Sequence, residues 1–419
     1  MINGIGAGCV FPTINNLRAA GTPALSLDFL NPSLDSRITF SRASGGTRVN
    51  SAGLIETLTT DQPRFDYDPV TLAPRGLLIE EARTNAIYPT APTGVSYDSL
   101  SGTTPVVFTA NAVVAPDGTT TAPTFYVPAA NVFIPAVNSG TVQNGVAQPV
   151  SCFVKLIGSP TFTFNITFGS TNASGTGRVS STATVVDGQI TGMTAGASYE
   201  NYGNGWWRIS AIYTAAGATG STGIVYQSFS TPQTISIWGT QVETGAFPTS
   251  YIPTTTAAVT RAADVASMTG TNFSSWFNAT EGTFVASADS VARLASTYPN
   301  LVSASTAVDS TNRISLYFNA NVGVAGEIRT GGSGVSLQSI SYTDAAAVTG
   351  VTAYKANDTN SAAAGVIGTQ DTSCAMPTVT GLAICSTQVG GNANLNGHLQ
   401  RITYYNKRLP DATLKALSA

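Results

Sequence analysis

The chain has 419 residues, of which 10% are charged, with 19 Lys plus Arg against 22 Asp plus Glu and a single His; an average soluble domain carries roughly 25% charge. A net charge of -3 offers no basic field for phosphates, which argues against nucleic acid as a partner, and 42% hydrophobic residues with 17 Phe and 15 Tyr argue against disorder. No apolar run reaches the roughly 18 residues of a membrane span, and 41 Gly, 21 Pro and about 100 Ser plus Thr favour strand and turn over helix.

Residues 1–24 read as a loosely structured anchor. Its apolar tip is too short for a secretory signal, no basic residue precedes it, and it is expected to order only against a partner. Residues 25–95 hold most of the concentrated charge and form a collar. Two antiparallel β-sandwiches of jelly-roll type are expected in tandem, at 96–257 and 262–419, joined by the Thr/Ala-rich stretch 254–260. The clearest strand is TFTFNITF at 161–168, where every second residue is apolar, so one face is buried and one is wet. Weaker alternation predicts strands at 132–137, 208–213, 234–238, 282–288, 313–318 and 399–405, with Gly/Ser/Asn clusters such as 169–175 and 331–334 as loops. One short helix is predicted at the end, over 410–417, with Pro410 at its start, Asp411 in the first turn, and Leu414 and Leu417 three apart.

Several segments resemble a module of tailed-bacteriophage virion proteins: LSLDF at 25–29, ITFSRAS at 38–44, PRFDYDPVT at 63–71 and RGLLIEEARTN at 75–85. GNGWWRIS at 203–210 and QVETGAFPTSYIP at 241–253 resemble late strands of the carbohydrate-binding-module-like jelly roll that follows it, and TRAADV at 260–265 resembles its exit. LNGHLQRITYYNKRL at 395–409 is similar to the closing strand of a concanavalin A-like, laminin G-like sandwich. The resemblance implies a fibre, spike or decoration protein on the virion surface, assembled in the host cytoplasm. It also implies attachment to capsid or tail proteins through the N-terminal segment.

The candidate chemistry is sparse. Asp66 and Asp68, at i and i+2, would share a strand face at a spacing suited to a glycosidase pair or to Ca²⁺. With Arg64, Arg75, Arg83, Glu80 and Glu81 beside them, a structural ion-pair network is the favoured reading. His398 has no Gly-x-Ser-x-Gly partner and reads as structural. Cys9, Cys152, Cys374 and Cys385 make neither a disulfide framework nor a zinc set. Cys374 and Cys385 would pair only if a hairpin brought them face to face, and buried free thiols are favoured. Trp206 and Trp207 are adjacent, so on a strand one enters the core and the other becomes a candidate platform for stacking sugar rings. Trp238 and Trp276 read as core.

No catalytic residue, cofactor or metal is assigned. The expectation is a non-enzymatic virion surface protein that binds host glycans weakly and multivalently. The alternatives are a cement protein without sugar binding and, with least support, a polysaccharide-degrading spike. Uncharged Thr-rich strand edges need covering, so a homo-oligomer is expected, a trimer before other states.

Overall fold

The computed structural model describes residues 20–96, 106–128, 132–135, 145–158, 160–170, 179–194, 196–214, 222–227, 229–289, 298–306, 311–319, 323–341, 347–389 and 395–419. Most of the expected anchor with Cys9, residues 136–137 and residues 171–175 lie outside these.

The described residues are almost entirely antiparallel β, and each of the seven alternating segments contributes a strand. In the first sandwich one sheet runs Ala197–Asn201, Trp206–Thr214, Ala147–Leu156, Gln233–Val242, Ala122–Val127, Val107–Val113. The facing sheet runs Gln189–Met193, Val179–Val186, Phe162–Ser170, Thr222–Gln227, Val132–Pro135, Val95–Ser96. Between them lie Phe162, Phe164, Ile166 and Phe168 from the TFTFNITF strand, packed on Trp207, Ile209, Tyr213 and Tyr226. Period-two patterning thus yields a dry interior and a Thr-coated outside.

The second sandwich has a seven-stranded sheet in the order Thr39–Ser41, Val265–Thr269, Gly381–Ile384, Asn300–Ser305, Arg313–Asn319, Gly323–Thr330, Ser333–Ser341. The opposing sheet runs Val366–Ile367, Asn360–Ala363, Val348–Lys355, Glu281–Ala288, Gly397–Tyr405, Pro74–Ile79, Arg64–Tyr67. Leu25–Asp28 also pairs with Gly397–Tyr405, Leu25 opposite Tyr404, while Pro74–Ile79 pairs further along it, Ile79 opposite Gly397. The helix Asp411–Leu417 packs Leu414 and Leu417 against the outside of this sheet. Phe273, Trp276 and Phe277 fill the end of the core around Tyr404.

The collar is therefore built into the second sandwich rather than threaded between the two. Its strands alternate sharply: Phe65, Leu77 and Ile79 enter the core, so Arg64, Asp66, Leu78 and Glu80 point away from it. The hairpin Gly46–Val49 and Ile55–Leu58 reaches across to the first sandwich. There Ile55 joins a cluster with Phe153, Trp206, Trp238 and Tyr251 on the outer face of that sheet. Arg83–Asn85 pairs with Val259–Arg261 and fastens the connector to the collar.

One expectation is corrected. Asp66 and Asp68 do not share a strand face, because Arg64–Tyr67 ends before Asp68 with a register shift between Asp66 and Tyr67. The Asp68 carboxylate instead accepts the Val70 and Thr71 backbone N–H groups in a turn, which removes it from any metal or glycosidase pair with Asp66. Cys374 and Cys385 are both buried free thiols.

Residues 262–419 expressed alone lack the strands Leu25–Asp28, Arg64–Tyr67 and Pro74–Ile79 and would expose their apolar partners. The fragment is expected to aggregate or to unfold without cooperativity in urea. A soluble fragment with a sharp two-state transition would contradict this architecture.

Candidate functional site

The outward face of the collar strands carries charge into the seam between the sandwiches. At its centre is Asp264, fully buried, which accepts Arg42 Nη1 at 3.1 Å on one oxygen and Arg64 Nη2 on the other. The second oxygen also accepts the Glu80 backbone N–H at 2.9 Å. Glu80 in turn pairs with Arg64 at 2.7 Å and Arg261 at 2.9 Å, and accepts both the backbone N–H and the hydroxyl of Ser250 at 2.7 Å. Thr249 links Arg261 to Glu243: it accepts from Arg261 Nη1 at 3.1 Å and donates its hydroxyl to Glu243 at 2.5 Å. Arg42 donates further to the carbonyls of Ser44, Thr59 and Gln62.

Three arginines thus meet three acids. Burial raises the Glu80 carboxyl, but Arg261 and Arg64 outweigh it and hold Glu80 well below the usual carboxylate range. Of the ion-pair network read from the sequence, Arg64 and Glu80 belong to this knot, Arg83 pairs separately with Glu81 at 2.5 Å and Arg75 lies apart from it; Arg42, Glu243, Arg261 and Asp264 were not foreseen. Five of the eight segments that carried the resemblance feed the knot: Arg42 from ITFSRAS, Arg64 from PRFDYDPVT, Glu80 from RGLLIEEARTN, Glu243 and Ser250 from QVETGAFPTSYIP, Arg261 and Asp264 from TRAADV.

Beside the knot a cleft of about 420 Å³ opens between the sandwiches. Its floor is His398, whose Nε2 lies 2.8 Å from Asp66 and whose Nδ1 lies 3.0 Å from Asp289. Burial and the Arg75 charge push this imidazole down, but Asp289 and Asp66 push harder, and the balance raises it to about 9. His398 is a cation at neutral pH. Asp289 is raised by burial yet held below its ordinary value overall by His398 and Arg75. Above the floor, Arg75 sits 3.5 Å from Asp289 and 3.7 Å from Glu200, the latter contact crossing from one sandwich to the other. Tyr202 and Arg208 of the first sandwich complete the wall. Arg208 is anchored by donating to the Thr249 carbonyl at 2.6 Å and the Ser151 hydroxyl at 3.2 Å.

Neither tryptophan is a sugar platform. Alternation does send Trp207 into the first core and Trp206 to the opposite face, but that face is the seam, and the two rings are 7% and 1% exposed. Trp206 is capped by the collar hairpin, donates from Nε1 to the Val114 carbonyl at 3.1 Å, and has Lys155 6.0 Å above its ring. Trp238 and Trp276 are buried. Among the described residues no group of three or more His, Cys, Asp or Glu is placed to hold a metal.

Glu200, Tyr202 and Asp289 were not singled out from the sequence. The usable signal was scarcity: only eight charged residues fall between positions 96 and 257, and Glu200, Arg208 and Glu243 among them face the seam. In a nearly neutral sandwich an isolated charge marks a contact.

Neither family models nor curated proteins match this sequence. Among solved structures it is similar to the Ruminococcus gnavus IT-sialidase CBM40 bound to alpha2,3 sialyllactose, at 16% identity over 34% of this chain and 84% of that one, with a TM-score of 0.30. It is similar to the mouse laminin alpha1 chain, domains LG4-5, at 11% identity over 63% and 84%, with a TM-score of 0.23. It is similar to Trypanosoma rangeli sialidase at 8% identity over 71% and 60%, with a TM-score of 0.30.

Asp264→Asn removes the charge between Arg42 and Arg64, and loss of one partner from a buried pair costs about 3–5 kcal/mol. A large fall in the urea midpoint is expected; an unchanged midpoint would remove the knot from any stabilising role. His398 gives a pH signature. Its pKa is raised on folding from 6.5 to about 9, so its contribution is complete below pH 6.5 and is lost as pH rises through about 9. Unfolding free energy measured from pH 6 to 10 should fall across that window, and His398→Gln should flatten the decline.

Proposed function

We propose that this chain is a non-enzymatic surface protein of a tailed-bacteriophage particle, a fibre, spike or decoration. Residues 1–24 would attach it to capsid or tail proteins, and the interdomain cleft would bind host-surface glycans weakly. The observation that supports this most is the convergence of five of the phage-like segments on one buried knot, since residues alike only by chance have no reason to meet at one place in the fold. The cleft beside it is concave and polar, as hydroxyl recognition requires. With both tryptophans covered, a single site has no indole on which to stack a sugar ring, and useful attachment depends on several copies acting together. A trimer would supply them and cover the uncharged strand edges.

A purely structural cement role is the second reading. Val107 and Tyr126 favour it: they are cross-strand partners, both exposed, on the edge pair of the first sandwich, where an apolar pair suits a protein neighbour better than a sugar.

Particle attachment tests what both readings share, and a glycan array separates them. Antibody against this chain should label intact particles, and protein lacking residues 1–24 should stay folded but no longer attach. Continued attachment of the truncated protein would overturn the anchor. On a glycan array, protein clustered on beads should bind where the free protein does not; silence in both formats would leave cement as the function.

A further inference from the structure

We infer that the cleft selects uncharged saccharides, reading their hydroxyls with an alternating row of acceptors and donors drawn from both sandwiches. This rests on the glycan-binding reading above and specifies its ligand class.

The argument starts from charge on the rim. Three charged side chains there reach water: Glu200 at 53% side-chain exposure, Arg75 at 35% and Asp289 at 26%. Arg208, half-buried in the same lining, adds a second guanidinium, so the cleft offers no net positive charge to an anion. His398 and Asp66 beneath it pair with each other, and Arg208 donates to the Thr249 carbonyl and the Ser151 hydroxyl. An acidic sugar would place its carboxylate against Glu200 or Asp289, and Arg75, the guanidinium between them, is already shared by both. Repulsion and desolvation then act against an anion.

Geometry supplies the complementary half. Arg75 stands 3.5 Å and 3.7 Å from its two carboxylates, wider than the 2.7–2.9 Å of a charge-assisted hydrogen bond. The order Glu200, Arg75, Asp289 is acceptor, donor, acceptor. A hydroxyl both donates and accepts, so vicinal hydroxyls can donate to the carboxylates and accept from Arg75 at once. Tyr202 adds a neutral group. Its phenol lies in the field of Glu200, Arg208, Asp66 and Arg75, and burial, first, with Glu200 next, keeps it protonated as a donor. Because Glu200 and Tyr202 come from the first sandwich and Arg75 and Asp289 from the second sheet system, the row exists only when the two are docked.

The test is titration calorimetry on the full chain with neutral glucose and galactose oligosaccharides and with oligogalacturonate of equal length. Neutral oligomers should bind and oligogalacturonate should not. Tyr202→Phe and Glu200→Gln, which keep ring and shape, should each weaken neutral binding by about tenfold, the effect of one lost hydrogen bond, with the melting temperature unchanged. Preference for oligogalacturonate would overturn the inference while leaving glycan binding standing. Neutral binding undiminished in both variants would move the site out of this cleft. If neither class binds, even on clustered protein, the glycan reading fails and this inference with it.

Discussion

Asp264 is surrounded by protein on every side and shared by two arginines that come from different parts of the collar. A buried ion pair adds little net stability over an apolar replacement of the same shape, but leaving one of its members unpaired is severe. Its effect is on geometry. Arg42, Arg64, Glu80, Arg261 and Glu243 can all be satisfied only when collar, connector and both sandwiches meet at one angle, because each supplies a member. Apolar contacts at the seam, Ile55 on Trp206 and Tyr251, would tolerate sliding; the knot does not.

That fixed angle makes the cleft. Arg75 and Glu200 belong to separate sheets and face each other across the cleft at 3.7 Å, a spacing that a flexible linker would not hold. The position of His398 is similarly derived: it sits opposite Leu78 on the closing strand, two rows from Asp66 and so on the same sheet face, and strand register sets that carboxylate partner. Scarce charge and a rigid seam are the same design seen at two scales. The sandwiches expose many Thr and Ser, insensitive to salt, and the buried arginines Arg42, Arg64 and Arg261 with their acids are withdrawn to where the domains join.

Fold class and the seven alternating strands were legible because alternation is a local property. Phe162, Phe164, Ile166 and Phe168 declare a half-buried strand without reference to anything distant. The ion network was legible as a tendency, since Arg64, Glu80 and neighbouring charges crowd into one stretch. What was not legible is pairing at long range. Whether Trp206 faces water depends on the collar hairpin some 150 positions earlier. Strand periodicity placed Trp206 and Trp207 on opposite faces, correctly, but it does not say that the second face is covered. Asp68 was lost to a different cause, a register shift that ends the strand one residue before it.

The strand Gly397–Tyr405 receives Leu25–Asp28 and Pro74–Ile79 along one edge and Glu281–Ala288 along the other. On the ribosome the first two of these emerge more than 300 residues before the strand they pair with. The sandwich at 96–257 pairs its strands within itself and can close during that interval, whereas the collar's apolar Leu25, Leu27, Leu77 and Ile79 stay uncovered until Gly397–Tyr405 is made. A product terminated before Gly397 lacks the strand on which its own N-terminal part depends, and would present uncovered strands to chaperones.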